Sequence, residues 1–214
     1  MRFLVTAGPT REPLDPVRYL SNRSSGKMGY AIARAALAAG HETTLVSGPV
    51  TLTPPAGAAV MRVVTSEEMF EAVQQRVGWS DVCVLCAAVA DFRPRRVAPR
   101  KLKKQGRMTL VLELEPTRDI LLSLRDLPAV AGKRAPVIIG FAAETEALLE
   151  NARAKLAAKG CALIVANDVS RDELGFESDE NELLLVFASG ETRLLPRATK
   201  DALATHLVKI FEQM

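Results

Sequence analysis

Short apolar runs alternating with helix-period stretches fill the first half of this chain, and they leave few folds open. Arg2–Ala7 (RFLVTA), Glu42–Ser47 (ETTLVS), Ala59–Val64 and Asp81–Cys86 (DVCVLC) have strand length and enough apolar character to be buried. Lys27–Ala39 carries apolar residues at helical spacing and runs into Gly40, a suitable residue just past a helix end. Thr65 and Glu68 stand at capping-box spacing, which predicts a helix reaching Val77. A β-α-β-β-α-β order with apolar strands requires a mostly parallel sheet covered by helices, that is, an α/β, Rossmann-like three-layer fold.

The second half continues the pattern and then changes it. Thr109–Glu115 (TLVLELE) alternates strictly, as a half-exposed strand would, and Asp119–Leu124 opens a short helix. Val137–Phe141 (VIIGF) and Ala162–Ala166 (ALIVA) read as buried strands, with an amphipathic helix over Ala147–Lys159 between them, closed by Gly160. Asn181–Phe187 and Glu191–Leu195 flank Ser189-Gly190, which predicts a C-terminal β-hairpin before a closing helix over Thr199–Phe211. With 214 residues, 48% of them hydrophobic, the expectation is one domain spanning 1–214. A net charge of +3 from 28 basic and 25 acidic residues gives no reason to expect a nucleic-acid partner. No apolar run approaches the ~18 residues a membrane span needs, and the N-terminus enters a strand at once. Cys83, Cys86 and Cys161 make no disulfide framework, so a cytoplasmic location is the simplest reading.

Ligands of such sheets bind beyond the carboxyl ends of the strands. At the first of those ends lies Val5–Gly29 (VTAGPTREPLDPVRYLSNRSSGKMG), far longer than the ~2–6 residues a strand-to-helix loop usually takes. Gly8, Gly26 and Gly29 permit close backbone approach, Arg11, Arg18, Arg23 and Lys27 bring positive charge, and Ser21, Asn22, Ser24 and Ser25 bring neutral donors. Ser24–Gly29 opens a helix whose free N–H groups favour phosphate. The loop reads as a cradle for phosphate and carboxylate. A second strand end, Ala87–Asp91, precedes a basic excursion whose Arg93–Gly106 part, with Pro94, Pro99 and Lys101, has little apolar surface to hold it down.

Other motifs resolve to ordinary structure. Cys83 and Cys86 form a C-x-x-C inside a strand, where residues three apart face opposite ways, so they are expected to be core thiols. His41 and His206 fit neither a zinc nor a triad pattern. Gly26-Lys27 lacks the Ser/Thr of a Walker A loop, and no G-x-G-x-x-G is present. Lys155 and Lys159 share one helix face and, taken alone, read as solvated surface charge.

Taken together, TAGPTREPLDPVRYLSNRSSGKMG, AAVADFRP, the KLKK run, GFAAET, ARAKLAAKG, ANDV and GFESDEN resemble the phosphopantothenoylcysteine synthetases, the ligases of coenzyme A biosynthesis. These segments occur in order from Thr6 to Asn181. The resemblance implies that CTP, with Mg²⁺, activates the carboxylate of 4′-phosphopantothenate as an acyl-cytidylate, and that the amine of L-cysteine then displaces CMP. It implies nucleotide contacts at Leu85, Cys86, Ala87, Asp91, Lys101, Phe141, Lys155 and Lys159, and along Thr117, Arg118, Asp119 and Ile120. In that turn Arg118 stands where the family commonly has Pro. It assigns Asn22 and Arg18 to the acyl group, Gly8, Pro9, Thr10 and Ser24, Ser25, Gly26, Lys27 to the phosphates, and leaves the metal ligands open. It further implies a homodimer, and in many bacteria fusion to a flavin-dependent decarboxylase. A Rossmann-type NAD(P)-dependent reductase is the alternative from another class, supported by fold alone; a non-catalytic nucleotide-binding module is a third.

Overall fold

The computed structural model describes residues 1–104, 109–127, 134–170 and 177–214. The elements run β1 Arg2–Ala7, β2 Arg11–Pro13, β3 Tyr19–Ser21, α1 Lys27–Ala38, β4 Glu42–Ser47, β5 Ala59–Arg62, α2 Ser66–Val77, β6 Val82–Leu85 and β7 Phe92–Pro94. Then follow β8 Leu114–Pro116, α3 Ile120–Ser123, β9 Val137–Glu144, α4 Leu148–Lys159, β10 Leu163–Asp168, β11 Glu180–Phe187, β12 Thr192–Thr199 and α5 Lys200–Phe211.

The main sheet has eight strands in the order β12-β11-β10-β9-β6-β1-β4-β5. Pairing is parallel from β5 to β10 and antiparallel at β10–β11 and β11–β12. The expected α/β sheet with a C-terminal hairpin is therefore the fold observed.

Side-chain alternation along β1 divides the core in two. Phe3, Val5 and Ala7 face α1 and α5, where Tyr30, Ile32, Leu207 and Phe211 are fully or almost fully enclosed. Leu4 faces the other layer with Met69 and Val73 of α2, Leu121 of α3 and Ala152 of α4. Each such Leu, Val or Phe side chain contributes about 1.5–3 kcal/mol by leaving water. Cys83 and Cys86 obey the same alternation: Cys83 is enclosed in the second layer, and Cys86 packs against the first.

Local chemistry sets the ends of α2. Thr65 Oγ1 accepts from Glu68 N–H at 3.2 Å, and the Glu68 carboxylate accepts from Val64 and Thr65 N–H, which completes the expected capping box. The predicted strand over Thr109–Glu115 is largely absent. Only Leu114–Pro116 pairs, antiparallel to Phe92–Pro94, in a small sheet of its own. Alternation marks a strand able to cover one face, but no strand among the described residues pairs with it there, and Leu110 and Val111 are exposed. Sequence reading also passed over β2 and β3, a three-residue pair folded within the cradle loop.

Candidate active site

The chain leaves β1 toward β4 on one side and returns to β6 on the other, so the order of strands reverses at β1 and β6. The crevice at such a reversal is where open α/β sheets bind ligands. Here the two strand-end loops are laced together. Ala88 N–H donates to Gly8 O at 2.9 Å, Thr10 N–H to Ala88 O at 3.2 Å, and Ala90 N–H to Thr10 Oγ1 at 3.0 Å. Asn22 adds its side-chain amide, donating to Ala88 O at 3.1 Å and Val89 O at 3.2 Å. The lacing uses the very polar groups that a ligand would otherwise meet.

Two glycines bring the helix up to this loop. Gly26 sits at φ 79°, a conformation that strains any side chain, and a Cβ there would also crowd Val50 Cγ1 at 2.9 Å and Gly8 Cα at 3.3 Å. At Gly29 a Cβ would lie 2.6 Å from Ala7 Cβ, because the first turn of α1 rests directly on β1.

A cavity of about 670 Å³ opens over the crevice. It is lined by Asn22 and Ser24–Gly29 of the cradle, Leu85–Val89 and Asp91 of the β6 end, Thr117–Ile120, Phe141, Lys155 and Lys159. These are the greater part of the residues singled out from sequence, gathered from segments as far apart as 22 and 159. Among the described lining residues Lys27, Arg118, Lys155, Lys159 and Lys200 face only two carboxylates, Asp91 and Asp119. An anion is the ligand this balance favours.

The lysines on α4 are not solvated surface charges. Lys155 Nζ donates to Phe141 O at 2.9 Å. Burial pushes its ammonium below the usual range, opposed by the Glu144 charge and assisted by Lys159. Lys159 is paired with Asp119. Burial alone would raise the Asp119 carboxyl, but the bond from Lys159 and the one from Leu122 N–H together hold it low. Asp119 thereby caps α3 and fixes the turn, which Thr117 ties to the β6 end through Ala90 O at 2.7 Å and Asp91 O at 2.9 Å. Arg118 lies against α2, ion-paired with Glu67 and 3.7 Å over the Phe70 ring. At Cys86, burial raises the thiol to about 12 against the partial pull of Lys200, which keeps it protonated at neutral pH.

Five of the expected residues lie outside the lining. Gly8, Pro9 and Thr10 are buried in the laced loop. Arg18 turns to Asp15, bonding its carboxylate through Nε at 3.0 Å and Nη2 at 2.6 Å. Lys101 is exposed on its segment. That segment has anchors its composition does not show: Arg95 N–H bonds Glu113 O at 3.0 Å, Ala98 N–H bonds Leu14 O at 2.9 Å, and Leu102 N–H bonds Asp15 at 3.0 Å. Backbone bonds do this work, which counting apolar side chains does not register. The remainder of the expected excursion, at Gln105 and Gly106, falls outside the described residues, as do Gly175 and Phe176 of the GFESDEN segment.

Asn167, Asn181 and Lys200 line the cavity without having been singled out as site residues. The two asparagines lay inside quoted motifs, at a strand end and at the start of the hairpin's first strand, which was their only signal. Lys200 had none: it is the first residue of α5, buried, and bonded to Ser178 O. Beside it Lys27 bonds Glu177 O and Asp179 Oδ1, each at 2.7 Å.

Fold and site together define a Rossmann-like α/β protein with a cation-rich crevice at the switch point of its sheet. The chain belongs to the family described as the DNA/pantothenate metabolism flavoprotein C-terminal domain, which it matches over residues 1–214. It is 46% identical over 215 residues to the coenzyme A biosynthesis bifunctional protein CoaBC of Vibrio cholerae, covering 100% of this chain and 53% of that one. Against the CoaBC protein of Bacillus subtilis it is 47% identical over 199 residues, covering 92% and 47%. The chain thus spans about half the length of the curated relatives it matches. A crystal structure of the C-terminal domain of a CoaBC protein superposes with a TM-score of 0.82 at 42% identity, covering 100% of this chain and 94% of that one. The fold alone is shared, at 17% identity and a TM-score of 0.77, with a Cab2 H337A variant in complex with phosphopantothenate-cysteine, over 99% of this chain and 86% of that one.

Proposed function

We propose that this chain, as one unit over residues 1–214, is a CTP-dependent phosphopantothenate–cysteine ligase. The observation that carries this reading is the convergence of Leu85–Ala87, Asp91, Thr117–Ile120, Phe141, Lys155 and Lys159 with Asn22 and Ser24–Lys27 around one cationic cavity. In the first step a carboxylate oxygen of 4′-phosphopantothenate bonds to the α-phosphorus of CTP as the bond to the β-phosphate bridge breaks. Pyrophosphate leaves. In the second, the cysteine amine bonds to the acyl carbon, CMP departs with the electron pair, and the ammonium proton goes to solvent.

The chemistry fits the side chains. Two anions must meet, so the site needs positive charge fixed in advance of the reaction. Lys155, oriented by Phe141 O, and Lys159, oriented by Asp119, supply it without reorganisation. Backbone at Leu85–Ala87 and the Asp91 carboxylate suit the N4 amine of cytosine, which donates to a carboxylate. Mg²⁺ bound with the nucleotide would supply further positive charge to offset the phosphates. A flavin-dependent phosphopantothenoylcysteine decarboxylase, fused or separate, is the expected partner. A cytoplasmic location suits both enzymes. An NAD(P)-dependent reductase is not favoured.

Pyrophosphate release tests the proposal. With CTP, phosphopantothenate and cysteine together it should be sustained, and ATP should support it far less well. Equal efficiency with both nucleotides would remove the base assignment, and no release with either would remove the ligase reading.

A further inference from the structure

Asp15 is a carboxylate for which the proposed chemistry has no use. It is 3% exposed, its side chain fully enclosed, yet it sits in the cradle loop between β2 and β3. Its Oδ1 accepts from Val17 N–H at 2.8 Å and Arg18 N–H at 2.9 Å. Its Oδ2 accepts from Arg18 Nε and Nη2 and, at 3.0 Å, from Leu102 N–H. Arg18 Nη2 then donates to Leu102 O at 2.5 Å. Leu102 therefore has both backbone polar groups bound by one ion pair, 84 residues from Arg18 in sequence. An aspartate that only closed its own turn would need the Val17 and Arg18 N–H groups. The bonds to Leu102 reach beyond that, to the residue next to Lys101.

We infer that Asp15 is a positioning residue that fixes Arg18 and the backbone beside Lys101 as a single unit, so that both cations are presented together to an anionic substrate. Charge-assisted bonds to a buried carboxylate are short and directional, which suits them to hold a distant segment in register. The effect on activity rests on the ligase reading above, whereas the clamp itself does not.

Limited trypsin digestion of the full chain reads the clamp directly. Arg100, Lys101, Lys103 and Lys104 place cleavable bonds beside it. Asp15→Asn keeps the shape and loses the charge. Cleavage after Arg100 and Lys101 should rise roughly tenfold or more, because opening this segment costs less, while exposed sites elsewhere keep their wild-type rates. If Asp15→Asn does not fold, Leu102→Pro removes a single N–H, leaves the ion pair, and should give the same local rise after Arg100 and Lys103. In pyrophosphate release, Asp15→Asn and Lys101→Gln should each lower kcat/KM, and the double variant should be no more than about twofold worse than the worse single one, since both act through one unit. Unchanged cleavage at the segment overturns the inference, as does a rise spread evenly over all sites or a double variant whose losses multiply. Should the wild type release no pyrophosphate, the ligase reading falls and the cleavage pattern still decides the clamp.

Discussion

At Asn22 the structure changes what one residue is expected to do. The resemblance assigns its amide to the acyl oxygen, yet both N–H groups are bonded to Ala88 and Val89 carbonyls. In this arrangement Asn22 joins the cradle to the β6 end and is one of the residues lining the cavity. Asn22→Asp would set a carboxylate against two carbonyl oxygens and against the charge that develops as cysteine attacks. It should slow the second half-reaction more than the first, because the added carboxylate repels that developing charge. Rapid quenching should then find acyl-cytidylate accumulating. Asn22→Ala, with no charge, serves as the comparison: equal slowing of both half-reactions there would assign Asn22 to loop support alone. The cysteines mark the other limit of residue-scale reading. Period-two alternation was enough to separate Cys83 from Cys86, because a strand leaves no freedom in which way successive side chains face.

Among the elements, α2 and β8 show when a pattern suffices. The box at Thr65 and Glu68 was readable because both partners lie within one turn. Thr65→Ala should cost about 1 kcal/mol of stability, seen as a lower denaturant midpoint at unchanged slope. Thr65 lies outside the cavity lining, so pyrophosphate release should persist in the variant; a collapse of activity at wild-type stability would show that α2 reaches the site in a way its packing does not suggest. The short strands β2, β3, β7 and β8 have three residues each, too few for a period, and each exists through a partner elsewhere in the chain. The same is true of the 95–102 segment, whose anchors are the carbonyls of Leu14 and Glu113 and the carboxylate of Asp15.

For the whole molecule, Leu110, Val111 and Leu112 are 51%, 88% and 38% exposed on a stretch whose sequence alternates like a strand and which, among the described residues, pairs with no strand at those positions. Unpaired, apolar strand-like backbone is a template for another chain. We propose that a second copy covers it, giving a homodimer. Sedimentation at micromolar concentration should report two chains, and Val111→Glu should shift the population to one. A wild-type monomer under those conditions would remove the proposal.

Periodicity, caps and glycine positions determined the order along the chain of the main-sheet strands and of the helices, the two faces of the sheet and the end of the sheet at which a ligand is expected, since each depends on residues a few positions apart. The tertiary structure alone decided which charges meet. Strand order sets α1 beside α5 and so places Lys27 near Lys200 against 177–179. It brings Lys159 to Asp119, and it carries Leu102 to Asp15. Those pairings come from the way distant elements pack, and no local pattern in either partner encodes them, because Coulomb interaction depends on distance through space and not on separation along the chain.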